Sequence, residues 1–223
     1  MNRLSNTVRG LAGAIPLALS LLLVTCNSHA SEPDAESLTK TITDYLADRG
    51  HLCLAEYEWP RYVADDKSGN SRDALQMPVL EKLGLVSSTQ MSVERTGDDG
   101  AKITAPGRRY DLTAAGQKFY LHKPVVVATA NQHVTHDADF CVATLTLDKV
   151  IGWETPVKEQ DGSSRTSVLY TYHIDPAPFT RDPDFQRVFP MVKRVVEGAG
   201  TMQLREGVRL TKDGWVAEEF FQR

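Results

Sequence analysis

The chain predicts an α+β fold: a small helix-plus-hairpin N-terminal half, and a C-terminal half in which one helix covers an antiparallel sheet. Three observations carry this. Leu38, Ile42, Tyr45 and Leu46 recur at helical spacing. Residues 86–95 and 166–174 alternate with the period of a strand. Asp182-Pro183 opens a second helix between two pairs of strands.

The elements follow in chain order. The first helix begins at Glu36 and stops where Gly50 follows Arg49. Residues 51–63 carry Leu52, Leu54, Tyr57 and Trp59 in partial alternation and read as a strand or extended segment ending near Pro60. The polar stretch 65–71 reads as a loop. Ser71 is placed to cap a helix over 73–83, closed by Gly84, with Pro78 imposing a kink or a later start. Strand 86–95 leads into a turn at Thr96-Gly97-Asp98-Asp99-Gly100. The returning strand runs either through Ile103 or from Arg108 to Leu112, and Thr113 then caps a short helix over 115–120.

Lys123-Pro124 is the expected boundary, dividing a mature N-terminal domain, 31–122, from a C-terminal domain, 123–223. In the second half, 140–153 reads as a long bent strand and 166–174 as its alternating neighbour. The helix after Asp182-Pro183 carries Phe185, Val188, Phe189, Val192, Val195 and Val196, is kinked at Pro190, and ends at Gly198 and Gly200. A closing hairpin turns at Lys212-Asp213-Gly214. Two strands, a helix and two strands make a single layer of sheet with one helix on it.

The first thirty residues have the layout of a secretory signal peptide. Arg3 and Arg9 precede an apolar run from Leu11 to Val24, and Ser28-His29-Ala30 offers small residues at both positions of a cleavage site. The run, about 14 residues, is shorter than the roughly 20 that a spanning helix needs. Leu23-Val24-Thr25-Cys26 offers an alternative, a lipobox that would make an outer-membrane lipoprotein anchored at Cys26; an uncleaved anchor is the third reading. No Asn-x-Ser/Thr sequon occurs. A periplasmic bacterial envelope protein without a transmembrane segment after cleavage is the expectation.

Cleavage after Ala30 leaves 193 residues, enough for a substantial core. It removes two arginines and no acid, so the formal charge moves from −4 to −6. An acidic chain whose densest basic spots are Arg108-Arg109 and Lys193-Arg194 is not expected to bind nucleic acid. It also removes Cys26. Cys53 and Cys141, left in an oxidising compartment, are expected to form one disulfide tying the two halves together.

Leu80-Glu81-Lys82-Leu83-Gly84-Leu85-Val86, a hairpin, and then Arg109-Tyr110-Asp111-Leu112-Thr113-Ala114-Ala115-Gly116 resemble the end of a winged-helix domain over residues 73–120. The helix before the hairpin carries Glu81 and Lys82 and no basic cluster, so in an exported acidic protein the resemblance implies a scaffold, not a DNA reader. The second half, with Trp153-Glu154-x-Pro156, Tyr170-x-Tyr172 and Leu210-Thr211-x-x-Gly214-Trp215, resembles exported proteobacterial proteins of unknown function.

Candidate chemistry is sparse. His133, His136, Asp137 and Asp139 form the densest set of metal ligands, and imidazole with carboxylate suits Zn²⁺. There is no Gly-x-Ser-x-Gly and no phosphate-cradling glycine motif. A nucleophilic Cys53 beside His51 needs a free thiol, which a disulfide removes. Glu56 with Glu58, and Glu218 with Glu219, read as solvated charges beside a strand. The aromatics are the better lead: Tyr57, Trp59 and Tyr62 cluster in sequence, Tyr170 and Tyr172 share a strand face, and Trp153 precedes Glu154. Rigid aromatics anchor protein and glycan partners. The reading is a non-catalytic binding protein with no cofactor, acting on an unidentified protein or envelope ligand. The alternative is an envelope hydrolase or metal-binding protein using the His133 cluster.

Overall fold

The computed structural model describes residues 32–65, 71–96, 100–130 and 132–221. The signal segment, Cys26, most of the 65–71 loop and the centre of the 96–100 turn lie outside the described residues. The fold is α+β, mostly antiparallel sheet. In chain order the elements are α1 (Ala35–Arg49), β1 (His51–Cys53), β2 (Arg61–Ala64), α2 (Arg72–Lys82), β3 (Val86–Thr96), β4 (Lys102–Leu112) and β5 (Tyr120–Leu121). Then come β6 (Val125–Ala128), β7 (His133–His136), β8 (Asp139–Trp153), β9 (Val157–Lys158) and β10 (Ser164–Pro176). The chain closes with α3 (Pro183–Val188), α4 (Pro190–Glu197), β11 (Leu204–Thr211) and β12 (Gly214–Ala217). Among the described residues no helix is long and apolar enough to cross a membrane.

Local chemistry sets most boundaries. α1 starts one residue before the expected Glu36 because the Asp34 carboxylate accepts from the backbone N–H groups of Glu36 and Ser37, both at 2.9 Å, in a capping box. Ser71 caps α2 by accepting from Ala74 N–H, and the helix runs through Pro78, which lies on its exposed face. Pro190 does more than kink its helix: with Phe189 at φ −122°, ψ 61°, it separates α3 from α4. β4 is one strand of 11 residues, spanning both stretches offered for it. The segment 51–63, read as a strand or extended chain, holds two short strands with irregular chain between them, turning at Ala55, whose φ is +59°. Thr113 Oγ1 accepts from Gly116 N–H and donates to Gly84 O, tying the end of β4 to the end of α2.

The main sheet has the order β1-β8-β10-β11-β12, with β5 and β9 pairing at its margins. A second sheet has the order β2-β4-β3, and β6 pairs β7 in a hairpin. Strands from both sides of Lys123 share the main sheet: β1 pairs β8 antiparallel, with Cys53 opposite Cys141. Helix, glycine and hairpin follow in the order that the winged-helix resemblance implies, but α2 packs on α3, from the far end of the chain.

Two clusters form the core. Leu38, Ile42 and Leu46 of α1 cover Leu145, Val168, Tyr170, Tyr172, Val208 and Trp215 of the main sheet. The apolar stripe read from the sequence is therefore the buried face of α1, and the Thr41 hydroxyl donates to Trp215 O, 174 residues away. The second cluster joins Met77 and Leu80 of α2, Val86, Tyr110, Phe140, Val142, Phe185 and Phe189. Phe140 is fully buried and meets Trp59 and Phe119. Because its ring draws on both halves of the chain, Phe140→Ala should cost about 3–5 kcal/mol in urea unfolding. A loss below about 1 kcal/mol would show that this cluster is not the shared core.

Candidate functional site

A concavity lies between the β6–β7 hairpin and the main sheet. It consists of two cavities, about 700 and about 380 Å³, which share Arg49, Lys123, Pro124, Val125 and Glu219. The smaller one is walled by the bridged Cys53 and Cys141, with His51, Tyr57 and Asp139. The larger one runs under the hairpin past Ala128 and His133 to Glu206, Gly207 and Glu218.

The disulfide is the wall's fixed point. It joins residues directly opposite each other in β1 and β8 across a sequence separation of 88. Beside it, the end of α1 delivers Asp48 and Arg49. Lys123 Nζ lies 2.7 Å from Asp48 Oδ1 and also donates to Asp48 O, so the chain entering the hairpin is anchored to the helix end. Arg49 Nε is 3.1 Å from Asp48 and 3.8 Å from Glu219. Burial, with the nearby Lys123 charge, holds the His51 imidazole below its ordinary value, against the pull of Asp48.

The opposite wall is acidic. Glu206 sits on β11 at the position between Leu204 and Val208 in the inward alternation of that strand, facing Val168 on β10. Burial, with the charges of Glu219 and Glu218, pushes its carboxyl up to about 7. The Tyr45 hydroxyl donates to Glu219 Oε2 at 2.9 Å. Arg165 pairs with Glu218 at 3.0 Å. Gly207 permits this close layering: a Cβ there would stand 2.5 Å from Glu218 Oε2.

The expected site residues disperse. Tyr57 lines the smaller cavity and stacks on His136, with ring centroids 4.0 Å apart and planes 10° from parallel. His136 Nδ1 lies 3.5 Å from Glu58. Trp59 packs against the second core cluster. Tyr62 and Trp153 are exposed, far apart in the topology, on β2 and at the end of β8. Tyr170 and Tyr172 are core residues, not binding aromatics: both are buried under α1, and the Tyr172 hydroxyl donates to Val195 O.

Of the four expected metal ligands, His133 faces the larger cavity, Asp137 is exposed, and His136 is held by Tyr57. Asp139 is buried and accepts from the backbone N–H groups of Glu56, at 2.8 Å, and Phe140, at 2.7 Å. Strand alternation splits the set, and among the described residues no group of three His, Cys, Asp or Glu side chains is arranged to hold a metal.

Glu56, read as a solvated charge, is fully buried between Arg61 Nε at 3.4 Å and Arg72 at 3.2 Å. Burial still pushes its carboxyl up to about 7 against the pull of both arginines. Arg49, Lys123 and Glu206 were not singled out by sequence. For Glu206 the signal was present, a carboxylate on the inward parity of an apolar strand. Comparison with protein-family models, characterised proteins and solved structures gave no match.

Two outcomes follow from this geometry. For Glu206 the folded state retains a proton that the unfolded chain releases near its ordinary value of 4.5. The associated stability is complete below that value and is lost as pH rises through about 7. Urea unfolding of Glu206→Gln should therefore show stability gained over wild type as pH rises from 5 to 8, and an unchanged difference would refute the shift. Replacing Cys53 and Cys141 together by Ser should cost about 4–5 kcal/mol, the chain-entropy value for a loop of this size. A cost below about 1 kcal/mol would remove the bridge from its structural role.

Proposed function

We propose that the protein is exported to the bacterial periplasm and acts without catalysis, holding a protein segment or envelope component in the cleft under the β6–β7 hairpin. The cleft itself carries this reading. Its two cavities adjoin at shared side chains, and its walls come from the disulfide-tied β1–β8 pair, the end of α1 and β11. Such walls are pre-formed, so a ligand is spared the cost of ordering them.

The cleft's chemistry suits a ligand that combines a basic group with an apolar stretch. Glu206, Glu218 and Glu219 line one side, while Pro124, Val125 and Val126 supply apolar surface on the hairpin side. A cation brought near Glu206 would compensate a carboxylate that burial and its neighbours now hold partly protonated at neutral pH. Both cysteines at the cleft are joined to each other, which leaves neither as a nucleophile. The signal-peptide layout of the first thirty residues supports export, with cleavage after Ala30 and lipidation at Cys26 as the two end points.

Immobilised mature protein should recover a specific partner from envelope extract. Ala128→Trp, at an exposed position on the hairpin that lines the larger cavity, should abolish recovery while leaving the far-UV circular dichroism unchanged. Nothing above background with wild type, or equal recovery by the variant, would count against the cleft.

A further inference from the structure

The second sheet ends on an open edge. β3 has 11 residues and, among the described residues, a single strand neighbour, β4. Among the described residues no other strand of that length has a single strand neighbour; the outer strands of the main sheet, β1 and β12, have three and four residues. The direction of the free backbone groups can be worked out. Ser88 N–H is taken by the Glu81 carboxylate at 3.0 Å, so it points away from β4. Pro106, opposite Ser92, gives its carbonyl to Asp65 N–H on the β2 side, so the Ser92 pair shares no bonds across β3 and β4 either. Alternation then directs the N–H and C=O groups of Gln90, Ser92 and Glu94 outward.

This edge lacks the usual protections. From Ser87 to Val93 there is no charge and no proline. One face of the sheet beside it carries an exposed apolar patch around the buried Val93. Met91, Ala105, Ile103 and Tyr62 lie on that face, with Tyr62 53 %, Met91 41 % and Ile103 38 % exposed, and Arg95 and the Arg109–Asp111 pair lie beside them.

We propose that β3 is a homodimer interface, in which two copies pair their β3 edges antiparallel about a two-fold axis through Ser92. The free groups suit this register. Gln90, Ser92 and Glu94 are symmetric about Ser92, so each outward N–H meets a carbonyl of the second copy. Glu94 then faces the neutral Gln90, and Arg95 faces Thr89. Centring on Glu94 or Arg95 would set like charges against each other, which is destabilising. Centring on Met91 would spend Glu94 on Ser88, whose N–H is already bonded, whereas centring on Ser92 leaves only the terminal Thr96 opposite it. A one-residue slip is barred, because it would turn the apolar face over. With Ser92 at the axis, Met91 of one copy lies opposite Val93 of the other. The two apolar faces become one, and a six-stranded sheet results. The pattern is self-complementary, so the partner it fits is a second copy of this chain.

Sedimentation velocity of the mature protein at about 10–100 µM should show a dimer. Ser92→Lys, which brings like charges together at the axis and leaves the backbone free, should shift it to monomer with unchanged circular dichroism. Ser92→Cys should give a covalent dimer on oxidation, since hydrogen-bonded partners sit about 5.5 Å apart at Cα, within disulfide reach. Gln90→Cys, which would face Glu94, should not. Ala128→Trp should remain dimeric, which separates this interface from the cleft. A wild-type monomer at about 100 µM, a Ser92→Lys dimer, or a dimer that Ser92→Cys fails to cross-link would each overturn the proposal.

Discussion

The Asp139 carboxylate organises the junction on which the rest of the structure depends. It accepts from Phe140 N–H at the start of β8 and from Glu56 N–H in the irregular chain after β1. This fixes Glu56 at full burial, where Arg61 from β2 and Arg72 from α2 reach its two oxygens. Arg61 also holds Asp73 at 2.6 Å, and Arg72 donates to Leu54 O. Five acidic and basic side chains thus bind the main sheet, the second sheet and α2 to one short segment. Burying the Glu56 and Asp139 carboxyl groups is costly, and the arginines and backbone N–H groups around them offset that cost. Phe140, next to Asp139, begins the apolar cluster that α2 and α3 complete.

Much of this was legible in the sequence, where local chemistry decides the outcome. The helical spacing of Leu38, Ile42 and Leu46 is the stripe that α1 buries. Ser71 and Asp182 cap helices because a short side-chain oxygen before the first turn satisfies free N–H groups. Alternation located β3 and β10, and the pair of cysteines in a chain with export features led to the disulfide.

Long-range pairing was not legible. β1 is three residues long and is a strand because β8 lies beside it; nothing within those three residues announces that. Glu56 has the composition of a surface residue, and only the arrival of Arg61 and Arg72 makes its burial tolerable. Tyr170 and Tyr172 failed as binding candidates for the opposite reason. Their shared strand face was read correctly, but α1, arriving from the other end of the chain, covers it. The cleft combines Lys123, Glu206 and Glu219 from three separate stretches, so its chemistry exists only once the chain has closed on itself.

That closure also bears on the export proposed above. α1 emerges first, yet the sheet it covers is finished by β12, the last strand, and their hydroxyl-to-carbonyl bond spans 174 residues. During synthesis the leading helix has an apolar face and nothing to bury it against. Contacts of such separation form slowly, because a long loop must close before any of them is rewarded. The topology therefore delays stable tertiary structure until the chain is nearly complete. A polypeptide that must be threaded through a narrow pore before it folds gains time from this order of assembly.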